Sequence, residues 1–373
     1  MNEATNSATS HPYVTNAAHH PRMQWLDALR GFTMLLVVAN HVYGMTLNGP
    51  SNRSMLMSLC LLFRMPLFFF ISGFLAYKVN FSWNLADTGH LLLKKLRVQI
   101  VPTVALMTAY VALVAKHFWE QMGHAWMSPT KSGFWFTLVL LQMFIVYYAV
   151  CFVTRRMQYL RDDDDDSLMT GALVCTWIIA LIGYATLYMP AWFSWQKDEF
   201  YQATSLTEFV RFFHCFMLGN LCHRFWPQVQ RLLDTSWFYP LIILVAFVCA
   251  GDYLVWHNLR MQWANLPRTL AIYSLVLIVV AFFRHYDEWF DKERPVGRWL
   301  QFIGVRTLDI YLLHYFFLPN LRFMRPWLKA HPTSFVLDGT ISLAITVAVM
   351  AFTLLASHVL RVSPFIKKWL FGR

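Results

Sequence analysis

The sequence predicts an all-α protein, a polytopic membrane bundle of about ten transmembrane helices. Three observations predict it. Of 373 residues, 57% are hydrophobic and only 14% charged, too little charge to cover a soluble protein of this length. Aromatic residues make up 17%, including 16 Trp and 32 Phe, which suits lipid-facing helices with aromatic belts at both interfaces. Several apolar runs reach or approach the roughly 20 residues that cross a bilayer core. The net charge of +11 then reads as basic cytoplasmic loops, and no nucleic-acid partner is expected.

Residues 1–22 are polar and lack the apolar core of a signal peptide, so they read as a disordered cytoplasmic tail. The remainder, 23–373, reads as one transmembrane domain. Its spans fall near 25–47, 55–77, 98–115, 134–153, 168–189, 206–225, 237–256, 266–283, 300–321 and 335–360, and 87–97 reads as an amphipathic helix leading into the third. With a cytoplasmic N-terminus, 18 of the 31 basic residues fall inside, nine outside and four within spans. That bias places both termini in the cytoplasm of a cell-membrane protein. The acidic run 162–166 then lies inside, where it reads as solvated.

The six cysteines, Cys60, Cys151, Cys175, Cys215, Cys222 and Cys249, lie in or at the ends of apolar stretches, where thiols behave as small hydrophobes. No disulfide framework is expected. His214-Cys215 and Cys222-His223 bracket one helix about two turns apart, too far for one ion to hold all four, so no metal site is expected.

Charge within a span costs at least about 2.5–3.5 kcal/mol on insertion scales and usually faces the bundle interior or a watery cavity. In the first span, Arg30 and His41 are eleven residues apart. Eleven helical steps bring them to one face, about 16 Å apart, with Arg30 shallow and His41 deep. Asp27, one turn before Arg30, is placed to pair with it. The ninth span repeats the layout: Arg306 shallow, then Asp309, and His314 about 12 Å further in. Two helices thus each carry a shallow cation and a deep imidazole, which suggests a cavity with an anion-binding mouth and a His-lined floor. A helix-packing salt bridge is the alternative for Arg306 and Asp309. In the second span Pro66 frees a backbone carbonyl, which Arg64 could satisfy, or Arg64 could face the cavity. Ser72 and Gly73 allow close helix contact. Arg211 and His214 could touch an acceptor or simply pack.

Five stretches in order resemble the acyltransferase type 3 family. The strongest is Leu26-Asp27-Ala28-Leu29-Arg30-Gly31 followed by His41, which looks like that family's Arg-x10-His motif. The others are Phe63 to Gly73, Trp135-Phe136-Thr137-Leu138, Phe216-Met217-Leu218-Gly219, and Ile303-Gly304 through Tyr311-Leu312-Leu313-His314. The resemblance implies ten spans and transfer of an acyl group, commonly acetyl from acetyl-CoA, to carbohydrate hydroxyls, with Arg30 and His41 as the functional pair. The family's Arg-x-x-Arg motif has only Lys94-Lys95-Leu96-Arg97 as its match here. Lysine is a poorer bidentate phosphate binder.

On this reading Arg30, Lys94, Arg97 and Arg306 hold the phosphates of a cytoplasmic acyl-CoA. His41 takes the proton of the acceptor hydroxyl, and His314 or Asp309 supports it or binds the acceptor. Acyl-CoA is a donor substrate, and no tightly bound cofactor is expected. The expected partners are acyl-CoA, a carbohydrate or small-molecule hydroxyl and the lipid bilayer. An acyl-imidazole relay on His41 also fits. The rival classes are a secondary transporter or flippase of a polar solute, which would often show inverted repeats, and a non-catalytic scaffold.

Overall fold

The computed structural model describes residues 23–47, 55–79, 81–161, 166–188, 198–256, 266–330, 335–364 and 366–367. The tail 1–22 and residues 162–165 of the acidic run lie outside them. Among the described residues every regular element is helical.

The helices are α1 (Gln24–His41), α2 (Met55–Ala76), α3 (Leu85–Lys95), α4 (Val101–Val114), α5 (Phe118–Met127) and α6 (Trp135–Arg161). They continue with α7 (Ser167–Gly183), α8 (Glu199–Thr204), α9 (Leu206–Arg224), α10 (Trp226–Leu233) and α11 (Phe238–Gly251). The last are α12 (Leu266–His285), α13 (Pro295–Gly304), α14 (Thr307–Leu313), α15 (Arg325–Ala330) and α16 (Phe335–Leu360).

Among the described residues, six stretches are long and apolar enough to cross a membrane: Leu56–Ala76, Leu85–Val114, Trp135–Arg161, Ser167–Leu187, Leu266–His285 and Gly339–Leu360. The pair α10 and α11, bent by 85°, makes a seventh if it is one span. The three expected spans that fail this test are α1, α9 and α13–α14. They are the helices that carry Arg30 and His41, Arg211 and His214, and Arg306 and His314. Polar residues lower the apolarity of α1 and α9, and α13 and α14 are each too short, at 10 and 7 residues.

Glycine fixes how these helices meet. α1 packs against α13, and α2 against α9. A Cβ on Gly31 would strike the Leu300 carbonyl, and one on Gly304 the Asp27 carbonyl. Gly73 and Gly219 stand likewise against the carbonyls of Phe216 and Phe70. Two reciprocal small-residue contacts thus bring the backbones together.

Two departures from the sequence reading matter for the site. The ninth span is not one helix. It breaks between Gly304 and Thr307, where Val305 and Arg306 close the end of α13 through bonds to Gln301 and Ile303. α14 therefore starts on a new axis and ends in a 3-10 turn, His314–Phe317. The second departure is α5, a helix in the connection before α6 that carries no apolar span signal. The expected amphipathic helix does form, as α3, whose Asn84 side chain caps the Asp87 N–H.

Candidate active site

α1 ends as a regular α-helix at His41 and widens into a π-helical stretch, Val42–Thr46. Such bulges are frequent at functional sites. The broken ninth segment brings His314 against it: His41 Nδ1 and His314 Nε2 lie 2.8 Å apart. The two rings are nearly parallel, 5.0 Å between centroids and 8° between planes.

The hydrogen bonds assign the tautomers. His314 Nδ1 lies 2.9 Å from the Ile310 carbonyl, which can only accept, so this nitrogen carries a proton. In a neutral ring His314 Nε2 is then an acceptor, and His41 Nδ1 must donate to it. His41 Nε2 is left with an unprotonated lone pair. The Tyr315 hydroxyl lies 3.5 Å from that lone pair, but Tyr315 donates its proton to the Gly133 carbonyl at 3.1 Å. One backbone carbonyl thus sets both rings in a register that leaves a base at Nε2. The second imidazole accepts from His41 Nδ1 as a carboxylate accepts from the histidine of a serine-hydrolase triad.

A tight loop supplies the Gly133 carbonyl. Lys131, Ser132 and Gly133 all have positive φ, 48°, 52° and 101°. The Lys131 ammonium holds this conformation by donating to the carbonyls of Trp126, Ser128 and Gln202, at 2.5, 2.8 and 3.0 Å. Tyr311 also donates to Gly133 O, at 2.6 Å, and its oxygen accepts from the Phe136 N–H at 3.1 Å.

Below the pair lies a cavity of about 270 Å³. Arg30, Lys95 and Arg361 are its cations, and Ser72, Thr307 and Tyr311 are among its polar walls. Arg30 donates to Thr307 Oγ1 at 3.1 Å and lies 3.5 Å from Asp27 Oδ1, the pairing expected from their spacing. Thr307 opens α14, so Arg30 ties the break in the ninth segment to α1. The two imidazoles do not line the cavity themselves. Phe136 does, and so does Tyr311, one turn before His314 and with its ring centroid 6.3 Å from that imidazole.

Of the expected residues, the structure brings His41 and His314 together and sets Arg30 on the cavity. Asp309 lines the cavity too, but its carboxylate accepts from Ser357 at 2.7 Å and from Arg361 at 2.6 and 3.1 Å. Lys94 and Arg97 are not on the cavity wall. Lys95 is, with its ammonium 3.9 Å from the Phe144 ring centroid. Arg306 stacks on Phe302 at 3.9 Å and also stays off the wall. Arg64 is close enough to act by charge on His41 and Tyr315, and its Nε is buried with no hydrogen-bond partner among the described residues. It therefore does not satisfy the carbonyl freed by Pro66 through that nitrogen. Arg211 pairs with Glu208 at 3.3 Å, and His214 bonds Tyr273 at 2.6 Å.

Lys95, Arg361, Tyr311 and Tyr315 are site residues that the sequence reading did not assign to the cavity or the histidine pair. Lys95 sat within the basic run already noted. Arg361 follows Asp309 by 52 residues, and no local spacing connects them.

Among the described residues no group of three or more His, Cys, Asp or Glu side chains is placed to hold a metal ion. No curated protein and no solved structure matches the chain. A family model described as an acyltransferase domain does match, over residues 23–362, a stretch that contains the His41–His314 pair and the whole cavity. The chain is a member of the acyltransferase type 3 family of membrane acyltransferases.

Proposed function

We propose that this acyltransferase moves an acyl group, acetyl in the first instance, from cytoplasmic acyl-CoA to a hydroxyl of a carbohydrate or related acceptor. His41 Nε2 is the general base. The observation that carries this reading is the bond chain from the Ile310 carbonyl through His314 to His41, which leaves a lone pair at Nε2. The thioester arm enters through the cavity, with Arg30 and Lys95 at its anionic end, and passes Tyr311 and Phe136 to reach His41. The acceptor hydroxyl gives its proton to Nε2 as its oxygen attacks the thioester carbonyl. The new imidazolium keeps its Nδ1–H on His314, a bond that becomes charge-assisted and stronger as the proton arrives. The thiolate of CoA then leaves and takes up the proton.

The same reading gives ten spans, with α1, α9 and the α13–α14 segment crossing beside the seven apolar stretches, and both termini cytoplasmic in a cell membrane. Proteoliposomes holding the purified chain and supplied with labelled acetyl-CoA test the function. Release of free CoA together with transfer of label to acceptor sugars is the expected result. Movement of a solute without thioester consumption would instead support a transporter.

A further inference from the structure

A second cavity, of about 500 Å³, lies beyond the first, at the C-terminal ends of α2 and α6. Nothing described above uses it. Its walls hold three cations, Lys78, Arg155 and Arg224, and three aromatic rings, Tyr77, Phe81 and Trp83. Arg224 is already engaged: it pairs with Asp166, also on the wall, and donates to Thr170 at 2.8 and 3.0 Å. Among the described residues, Lys78 rides over the Phe81 ring, 5.6 Å from its centroid, and Arg155 bonds the Gln158 side chain at 3.3 Å. Among the described residues, two positive charges therefore line this space beyond the one that Asp166 offsets.

The two cavities and the histidine pair lie in line. Along α2, Arg64 acts on His41, residues Phe68 to Leu75 line the first cavity, and Tyr77 and Lys78 line the second. Along α6, Phe136 to Phe144 line the first, and Arg155 and Gln158 the second. Phe144 and Arg155 are eleven residues apart, about 16 Å along the axis. Lys78 of the second cavity is close enough to Lys95 of the first to act on it by charge.

We propose that the second cavity binds the phosphorylated adenosine end of the acyl-CoA donor, with Lys78 and Arg155 on its phosphates and the base against the half-buried rings of Tyr77 and Phe81. The proposal rests on the acyl-CoA reading above. The first cavity, at about 270 Å³, falls below the usual 300–1,000 Å³ range for a drug-sized ligand and cannot enclose the whole donor. The rest of the donor needs a second site on the same line, with cations for phosphate and flat apolar faces for a base. An anionic lipid headgroup shares the phosphate chemistry. It has no use for the aromatic faces, nor for alignment with His41.

Truncating the donor tests this. Thioester cleavage is measured with the full chain in nanodiscs, with acetyl-CoA and with acetyl-pantetheine, which lacks the nucleotide. For Lys78→Gln and Arg155→Gln, KM for acetyl-CoA should rise roughly tenfold each, the effect of one charged hydrogen bond. Turnover at saturation should hold, and kinetics with acetyl-pantetheine should match wild type. An unchanged KM for acetyl-CoA would overturn the proposal. So would an equal loss with both donors, which would mean a structural role. A defect that follows the anionic-lipid content of the nanodisc equally for both donors would give the site to a headgroup and also overturn it. Wild-type protein that cleaves neither thioester contradicts the acyl-CoA reading itself, and the proposal falls with it, a result distinct from the other three.

Discussion

Replacing His314 separates an oriented base from a histidine that merely sits nearby. In His314→Leu the acceptor for His41 Nδ1–H is gone, at a contact of 2.8 Å. His41 can then carry its single proton on either nitrogen, and the protonated-Nε2 form is no base. The lost bond also costs more in the transition state than in the ground state. A neutral hydrogen bond contributes about 0.5–1.5 kcal/mol and one to a charged group about 1.5–3. The difference, on the order of 1–1.5 kcal/mol, is close to tenfold in rate. Adding the tautomer loss, kcat should fall by roughly 10–10²-fold. KM for acetyl-CoA should change little, since His314 is not on the cavity wall. His314→Gln is the informative partner, because its amide oxygen can reach the Nε2 position and accept from His41; it should recover a measurable part of the loss. The assay is steady-state release of CoA thiol by protein in nanodiscs, beside thermal unfolding to confirm the fold. A Leu variant within twofold of wild-type kcat would refute the tautomer argument. Equal loss in Leu and Gln would refute the orienting bond.

Three further outcomes follow from named contacts. Arg30→Ala should raise KM for acetyl-CoA by roughly 10–100-fold through loss of a charged contact, whereas Arg306→Ala, whose guanidinium lies on Phe302 off the cavity, should stay near wild type. Equal effects would remove Arg30 from the donor path. Gly304→Ala places a Cβ against the Asp27 carbonyl and should destabilise the chain by about 1–3 kcal/mol. Gly89→Ala, with open space around it, should not; equal thermal stability would contradict the close α1–α13 contact. Burial pushes the Lys131 ammonium down to about 8, well below its ordinary 10.5, so the folded chain releases this proton before the unfolded chain does. The cost of the charge is in full force below about pH 8 and is relieved toward pH 10. The thermal stability of wild type relative to Lys131→Met should therefore rise from pH 7 to pH 9.5, and a fall would contradict the burial argument.

Much of the fold was legible because lipid imposes a coarse rule, an apolar run of about 20 residues. α2, α6, α12 and α16 follow from that rule within a few residues at most ends. The histidine pair was half legible. Helical geometry put Arg30 and His41 on one face, and the repeat of a shallow cation and a deep imidazole singled out His314. It did not show that the rings touch, because that depends on the break at Val305 and Arg306, which re-aims α14. Apolar periodicity is blind to such a break. The cations at the mouth were less legible still. Lys94, Lys95 and Arg97 stand together in sequence, and the rotation of α3 against α6 decides that Lys95 faces inward. Asp309 looked like catalytic support, but Ser357 and Arg361, some fifty residues later, hold its carboxylate. The Gly133 carbonyl had no side-chain signal. Its position depends on a left-handed loop held by Lys131.

The central claim is that the free lone pair on His41 Nε2 performs the proton transfer. His41→Gln tests it most directly, since glutamine keeps hydrogen bonding and approximate volume but cannot serve as a base near neutral pH. The measurement is acetyl transfer from acetyl-CoA by the purified chain in nanodiscs, with donor affinity measured on the same preparation. The account predicts a loss of roughly 10²–10⁴-fold in kcat, the usual range for general acid–base catalysis. Donor affinity should be preserved, because Arg30 lies about 16 Å away along α1. A His41→Gln protein that folds, binds donor and keeps near-normal turnover would contradict the account.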